Sequence, residues 1–158
     1  MSATKEATEA VIPEYNCPLP VEVNWEDLGD YTKWPNVRSW CELIQNECIN
    51  EYQNLDINLV AAVMMIESGG DPNAISKKYA TGLMQVMPDF TMPGRPSQKE
   101  LLNPVFNLEY GCGILSDKIN DWGSVKDGLW AYYGTASYYA DYADPVLSKL
   151  DSIKAAYP

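Results

Sequence analysis

Ten residues run from Ile57 to Ile66 with Asn58 as the only polar one, and a carboxylate, Glu67, follows them. Asp56 is a natural N-cap before this run, and Gly69 and Gly70 are natural stop residues after it. The pattern predicts a helix from Ile57 to about Ser68 that is apolar nearly all round and therefore sits centrally. The preceding stretch is patterned differently. Val37, Trp40, Cys41, Ile44, Cys48 and Tyr52 recur at steps of three and four, which predicts one amphipathic helix starting at Pro35.

Residues 71–103 hold Pro72, Gly82, Pro88, Pro93, Gly94 and Pro96, and read as loops and turns with at most a small strand pair. Asn103 and Pro104 open another helix as N-cap and first residue, with Leu108, Cys112, Leu115 and Ile119 on its buried stripe. Gly111 and Gly113 lie inside it, where glycine is unfavourable, so they are expected to admit a second helix closely. Ser124 and Asp127 resemble a capping box for a helix ending near Gly134. Asp144 and Pro145 open a last helix with Val146, Leu150 and Ile153 inward. At least five helices joined by loops imply a mainly α domain, with a central buried helix and a loop-rich smaller lobe.

The 158 residues suit one domain, expected over 25–158. Residues 1–24 read as an extended arm, because Pro13, Pro18 and Pro20 disfavour helix; Val11 and Ile12 are candidates to dock it locally. Net charge is −11 with two arginines, Arg38 and Arg95, so the basic footprint of a nucleic-acid binder is absent and an acidic membrane surface would repel the chain. No apolar run is long enough to span a bilayer. The first ten residues carry no apolar signal segment.

The chain contains no histidine. That removes Ser–His and Cys–His nucleophile systems and histidine-ligated zinc, leaving carboxylates, Lys, Tyr or Cys for proton chemistry. No cofactor or metal site is read from the chain. The four cysteines, Cys17, Cys41, Cys48 and Cys112, allow two disulfides. Cys41 and Cys48 fall on one predicted helix with about 10 Å between them, too far for a bond that needs Cα atoms within ~7 Å. The pairings left are 17–41 with 48–112, or 17–48 with 41–112; four buried thiols are the other reading.

Glu67 is the candidate for chemistry. The helix dipole is negative at its end of the helix and its neighbours are apolar, and both effects disfavour the ionised form. A carboxyl kept protonated near neutral pH is a general acid of the kind that cleaves glycosidic bonds. A solvated helix-end glutamate is the plainer reading of position alone.

The segments around it carry a family pattern. Glu-Ser-Gly-Gly-Asp-Pro at 67–72, Asn-Ala-Ile-Ser at 73–76, Gly-Leu-Met-Gln-Val-Met-Pro at 82–88, Asn107 with Gly111, and Ala-Tyr at 131–132 occur in this order. Over roughly Leu55 to Tyr142 the chain resembles the soluble lytic transglycosylase domain of the lysozyme-like superfamily. The resemblance implies an α+β lysozyme-like fold and cleavage of the β-1,4 bond between MurNAc and GlcNAc in peptidoglycan. In such cleavage the sugar's C6 hydroxyl attacks the anomeric carbon and a 1,6-anhydro product forms, so one carboxyl serves as acid and then base. The implied roles are Glu67 as catalytic acid/base, Ser68 beside it holding glycan, and Met84 and Gln85 lining the groove. Tyr132 is expected to donate its hydroxyl toward Glu67, while Leu83 and Met87 are expected in the core. Asn73 and Ser76 read as loop braces. Two positions depart from the family: Tyr133 stands where an asparagine is usual, and Tyr79 where a glycine is common before the Gly-Leu-Met-Gln segment. Tyr133 is expected to supply a stacking face for sugar or to narrow the groove.

Three rival readings are open at this point. Asp71 or Asp89 would position water in a hydrolytic muramidase. A glycan-binding or structural virion component would keep the fold without the reaction. A chitin-cleaving relative is the third. The implied partner is the peptidoglycan glycan strand, reached outside the cytoplasm. With no leader visible, a phage-borne, apparatus-delivered or leader-trimmed enzyme is expected, and the arm before Trp25 is the segment expected to dock a virion or secretion partner.

Overall fold

The computed structural model describes residues 14–26, 30–134 and 142–157. Seven helices follow in order among them: α1 Trp34–Arg38, α2 Cys41–Ile44, α3 Ile57–Glu67, α4 Gln98–Leu101, α5 Pro104–Trp122, α6 Val125–Tyr133 and α7 Ala143–Ala155. A 3-10 turn, Asp30–Thr32, precedes α1, and a wide π-helical turn, Gln45–Ile49, continues α2. Pairing between extended segments is confined to single bridges, Ile75 with Thr81 and Thr81 with Val86, among the described residues.

Helix α3 is central, as its pattern predicts: Leu59 to Met65 are all buried. The Asp56 side chain accepts from the Asn58 N–H at 2.7 Å, satisfying one of the orphan donors at its start. Helix α5 starts the same way, with Asn103 accepting from Val105 and Phe106. Ser124 caps α6 through the Asp127 N–H. The fourth helix, α4, was not expected. It sits within the segment read as loop, held by a full capping box between Ser97 and Glu100.

The single amphipathic helix expected from Pro35 to Tyr52 is broken into α1, α2 and the π-helical turn. The break has a structural use. In a straight helix Cys41 and Cys48, two turns apart, share one face. Here Cys41 bonds Cys17 on the N-terminal side and Cys48 bonds Cys112 on α5. Of the pairings left open by spacing, this is 17–41 with 48–112.

The arm is not separate from the domain where it is described. From Glu14 onward it lies on the core, with Leu19 and Trp25 buried. The Cys17–Cys41 bridge fixes it covalently. The Trp34 indole N–H donates to the Pro20 carbonyl at 2.9 Å, and the Arg38 guanidinium donates to Leu19 at 3.1 Å. Pro18 and Pro20 lie in a stretch without helix, as read, but that stretch is docked. Val11, Ile12 and Pro13 lie outside the described residues.

The glycines of α5 also depart from expectation. A Cβ on Gly111 would lie 2.5 Å from Met84 Cβ, and one on Gly113 would lie 2.8 Å from the Tyr52 hydroxyl. Neither meets a helix backbone. Gly128 of α6 does so instead: a Cβ there would fall 2.7 Å from Ile119 Cα, so this residue lets α5 and α6 touch.

Candidate active site

Glu67 ends α3, and the chain turns sharply after it through Gly69 at φ +61° and Gly70 at φ +83°. A Cβ at Gly70 would lie 2.7 Å from the backbone nitrogen of Val37, so only glycine fits where α1 crosses the turn. The Trp40 indole donates to the Gly70 carbonyl at 2.8 Å and fixes the same point. Ser68 completes the joint. Its hydroxyl donates to the Leu83 carbonyl at 2.8 Å and accepts from the Gly70 N–H at 3.1 Å. Ser68 is therefore a brace between helix end and loop; the glycan contact expected of it is not what its bonds support.

The loop it braces is shaped from α5. Asn107 is fully buried. Its amide oxygen accepts from the Met84 N–H at 2.8 Å, and its amide nitrogen donates to Thr81 at 2.8 Å and Leu101 at 2.9 Å. Gly82, at φ +78°, passes so close that a Cβ would clash with the Asn107 amide. One turn along α5, Gly111 leaves room for Met84. The i, i+4 spacing of Asn107 and Gly111 thus puts a polar clamp and a gap on one helix face beneath the Gly-Leu-Met-Gln segment.

This placement corrects the reading of the methionines. Met84 is fully buried, pressed onto Gly111, and does not line the groove. Met87 lines it instead. Gln85 takes a left-handed conformation, φ +52°, which breaks the simple alternation of sides along the loop. Its amide nitrogen donates to Ala74 and Gly82, both at 3.0 Å, and the residue lines the groove with its amide oxygen left as an acceptor.

The groove is a cleft of about 630 Å³, in the range of small-ligand sites. Glu67 stands in it between the Ser76–Ala80 turn, Gln85 and Met87 on one side and Tyr132, Tyr133 and Gly134 on the other. A second recess of about 240 Å³ shares Gln85, Met87, Tyr132, Tyr133 and Gly134 with it and adds Arg95 and Lys118. Ser76 both braces and lines: its hydroxyl accepts from the Lys78 and Ala80 N–H groups at 3.3 and 3.0 Å. Asp71 and Asp89 are exposed and line neither hollow. Glu67 is the one acidic side chain on either lining among the described residues.

Burial pushes the Glu67 carboxyl up from the usual 4.5 to about 7, and hydrogen bonding from Tyr142 pulls it partly back. Tyr142 Oη is buried and meets no acceptor within strict hydrogen-bond geometry. Desolvation, then the Glu67 charge, raises the phenol pKa values of Tyr132 and Tyr142 well above 10.0. Tyr132 does not donate to Glu67 as expected: its hydroxyl donates to the Met84 carbonyl at 2.6 Å, tying α6 to the loop. Tyr142, at the start of α7, takes the place facing the acid. Its ring lies parallel to Tyr132 at 6.4 Å and to Tyr133 at 5.1 Å. Sequence reasoning missed it because a tyrosine 75 positions after Glu67 carries no local signal. Tyr133 lines both hollows and is half exposed.

A further feature sits on the cleft rim. Tyr79 has φ +72°, which costs a bulky side chain about 1–2 kcal/mol. The turn imposes it through the Ser76 N–H to Ala80 at 2.9 Å, the Tyr79 N–H to Ser76 at 2.9 Å, and the Thr81 hydroxyl to Tyr79 at 2.8 Å.

A family model described as the transglycosylase SLT domain matches residues 46–144. Over 108 residues the chain is 34% identical to the endo-type membrane-bound lytic murein transglycosylase A of Salmonella typhimurium (strain LT2), covering 62% of this chain and 53% of that protein. The same figures hold for its counterpart in Salmonella enteritidis PT4. The chain therefore spans about half the length of the curated relatives it matches. Among solved structures, the 70 kDa soluble lytic transglycosylase from Escherichia coli superposes with a TM-score of 0.58 at 19% identity, over 80% of this chain and 29% of that one. A complex of the 70-kDa soluble lytic transglycosylase with bulgecin A gives 0.50 at 20% identity, over 80% and 25%.

Proposed function

The chain belongs to the transglycosylase SLT domain family and has its helical, lysozyme-like fold, and from that premise we propose that it is a peptidoglycan lytic transglycosylase with Glu67 as its single acid and base. The observation that carries this reading is one carboxyl, raised to about 7, in a cleft whose described lining holds no second acid. Two-carboxylate glycosidases need a partner roughly 5–9 Å away, as nucleophile or as base for water. Asp71 accepts from the Asn73 N–H at 2.9 Å in an exposed turn, and Asp89 is likewise exposed outside the cleft. Both are poorly placed to activate water, which favours the intramolecular route over a muramidase.

In this mechanism protonated Glu67 donates to the oxygen linking MurNAc to GlcNAc. The C1–O bond breaks as positive charge develops on the MurNAc ring. The Glu67 carboxylate then accepts the proton of the MurNAc C6 hydroxyl, O6 bonds to C1, and a 1,6-anhydro ring closes. The acid is returned protonated, so no water is consumed. A pKa near the working pH suits a group with both tasks. Tyr142 faces the carboxyl from the start of α7 and lowers its pKa, and Gln85 offers its amide oxygen to sugar hydroxyl or amide N–H groups.

Two disulfides fit an oxidising compartment, which agrees with action outside the cytoplasm. No described helix is long and apolar enough to cross a membrane. Delivery by a virion or secretion apparatus is proposed for the segment before Glu14; a deletion of residues 1–13 that leaves assembly with every candidate carrier intact would remove that idea. The activity is tested by digesting purified sacculi with the wild-type chain and with Glu67→Gln. The expected products from wild type are muropeptides with anhydro ends, lighter by one water than hydrolytic products. Hydrated reducing ends would make it a muramidase, and equal inertness of both proteins would make it a binding protein.

A further inference from the structure

We propose that Tyr79 and Phe90 form an aromatic platform that holds a sugar ring of the glycan strand beyond the cleavage cleft. This rests on the glycan-cleaving function proposed above. The two rings meet edge to face with centroids 5.3 Å apart. Both are solvent-exposed, Tyr79 at 52% and Phe90 at 59%, so the pair buries little apolar surface in the free protein. Scattered exposed aromatics need no explanation. This pair differs from them in two respects.

The first is backbone strain. The Ser76–Ala80 turn fixes residue 79 in the left-handed region, where glycine fits without cost and tyrosine does not. The contact with Phe90 is too exposed to offset that strain through burial. A side chain kept at an unfavourable position without a packing role is expected to have a ligand role.

The second is position. Lys78 and Ala80, on either side of Tyr79, both line the cleft that holds Glu67. A strand leaving that cleft over the 76–80 turn would meet the Tyr79 ring and, against it, Phe90. Sugar rings present axial C–H faces that stack on aromatic rings, while their hydroxyls stay in water. Two exposed rings beside a cleft of mixed apolar and polar lining suit that chemistry. The strap is stiff, because its backbone donors and acceptors are bonded within the turn, so stacking orders little that is not already ordered.

The test compares glycan oligosaccharides of increasing length on the Glu67→Gln background, so that binding is read without turnover. Tyr79→Gly and Phe90→Ala are each expected to weaken binding of long oligosaccharides by roughly 3- to 10-fold. A disaccharide confined to the cleft is expected to bind the variants as it binds the parent, and Tyr79→Trp to restore the long-chain affinity. Val21→Ser, which removes an exposed side chain elsewhere, is the control. Tyr79→Gly is also expected to keep or raise the melting temperature, because it relieves strain. A lowered melting temperature together with length-independent affinity would show a structural pair and overturn the platform. Cleavage of sacculi by the wild-type chain is measured separately. Absent cleavage with length-dependent binding would defeat the proposed reaction and leave the platform standing.

Discussion

The raised pKa that suits Glu67 to its proposed role as acid and base has a cost in stability at high pH. The Glu67 pKa rises from 4.5 in the unfolded chain to about 7 in the fold, so between these values the folded state holds the extra proton. Its favourable contribution is fully present below pH 4.5 and is lost as pH rises through 7. Glu67→Gln, which cannot ionise, should therefore be more stable than wild type at pH 8 by roughly 2 kcal/mol, a figure reduced for the partial exposure of the carboxyl. The two should converge below pH 4.5, which chemical denaturation at several pH values will check. Because the Tyr142 hydroxyl lowers the carboxyl, Tyr142→Phe should move the alkaline limb of kcat/KM to higher pH. An unmoved limb with a lower plateau would make Tyr142 a packing residue only. This tyrosine shows what sequence could not reach. The acid was legible from a run of ten residues with one polar position, but its partner comes from the start of a helix that folding brings alongside. The side-to-side error between Met84 and Met87 has a similar origin: the left-handed turn at Gln85 follows from tertiary clamping, not from local pattern.

At the scale of elements, the loop bearing Gln85 depends on α5. Asn107→Ala would leave the Met84 N–H and the Leu101 carbonyl without their buried partner, while the Thr81 carbonyl keeps the Val86 N–H. A loss of about 3 kcal/mol is expected, since each buried unsatisfied group costs roughly 1–3 kcal/mol. Gly111→Ala should overpack Met84 and cost about 1–3 kcal/mol, with activity falling further than stability because the displaced loop faces the acid. Equal activity at permissive temperature would show that the loop relaxes elsewhere. Caps were the most legible feature here: Asp56, Asn103 and Ser124 each start a helix where their side chains suggest. The helix from Pro35 was misread because its three-four spacing is continuous in sequence. The interruption at Trp40 and the π-helical turn answer to two disulfide partners that lie far along the chain.

For the molecule as a whole, the disulfides join what helix packing alone would leave loosely held. Cys48–Cys112 closes a separation of 64 residues and Cys17–Cys41 one of 24. Loop-closure entropy assigns about 4 kcal/mol to the first and about 3.5 kcal/mol to the second. Removing the pair at 48 and 112 should therefore lower the melting temperature more than removing the pair at 17 and 41. The native chain should weigh four hydrogens less than the reduced one. The domain boundary expected near residue 24 does not separate two bodies where the chain is described, since Leu19 and Trp25 are both core residues. Prolines report backbone conformation and say nothing about docking, which is why the arm looked independent in sequence. The whole arrangement serves to hold one carboxyl half-buried between a braced loop and a tyrosine-lined helix end. Its titration is the direct measurement, by carbon NMR of the labelled Glu67 carboxyl against a Glu67→Gln reference. A midpoint near 7 is the predicted result, and a midpoint near 4.5, that of an ordinary solvated glutamate, would contradict the account.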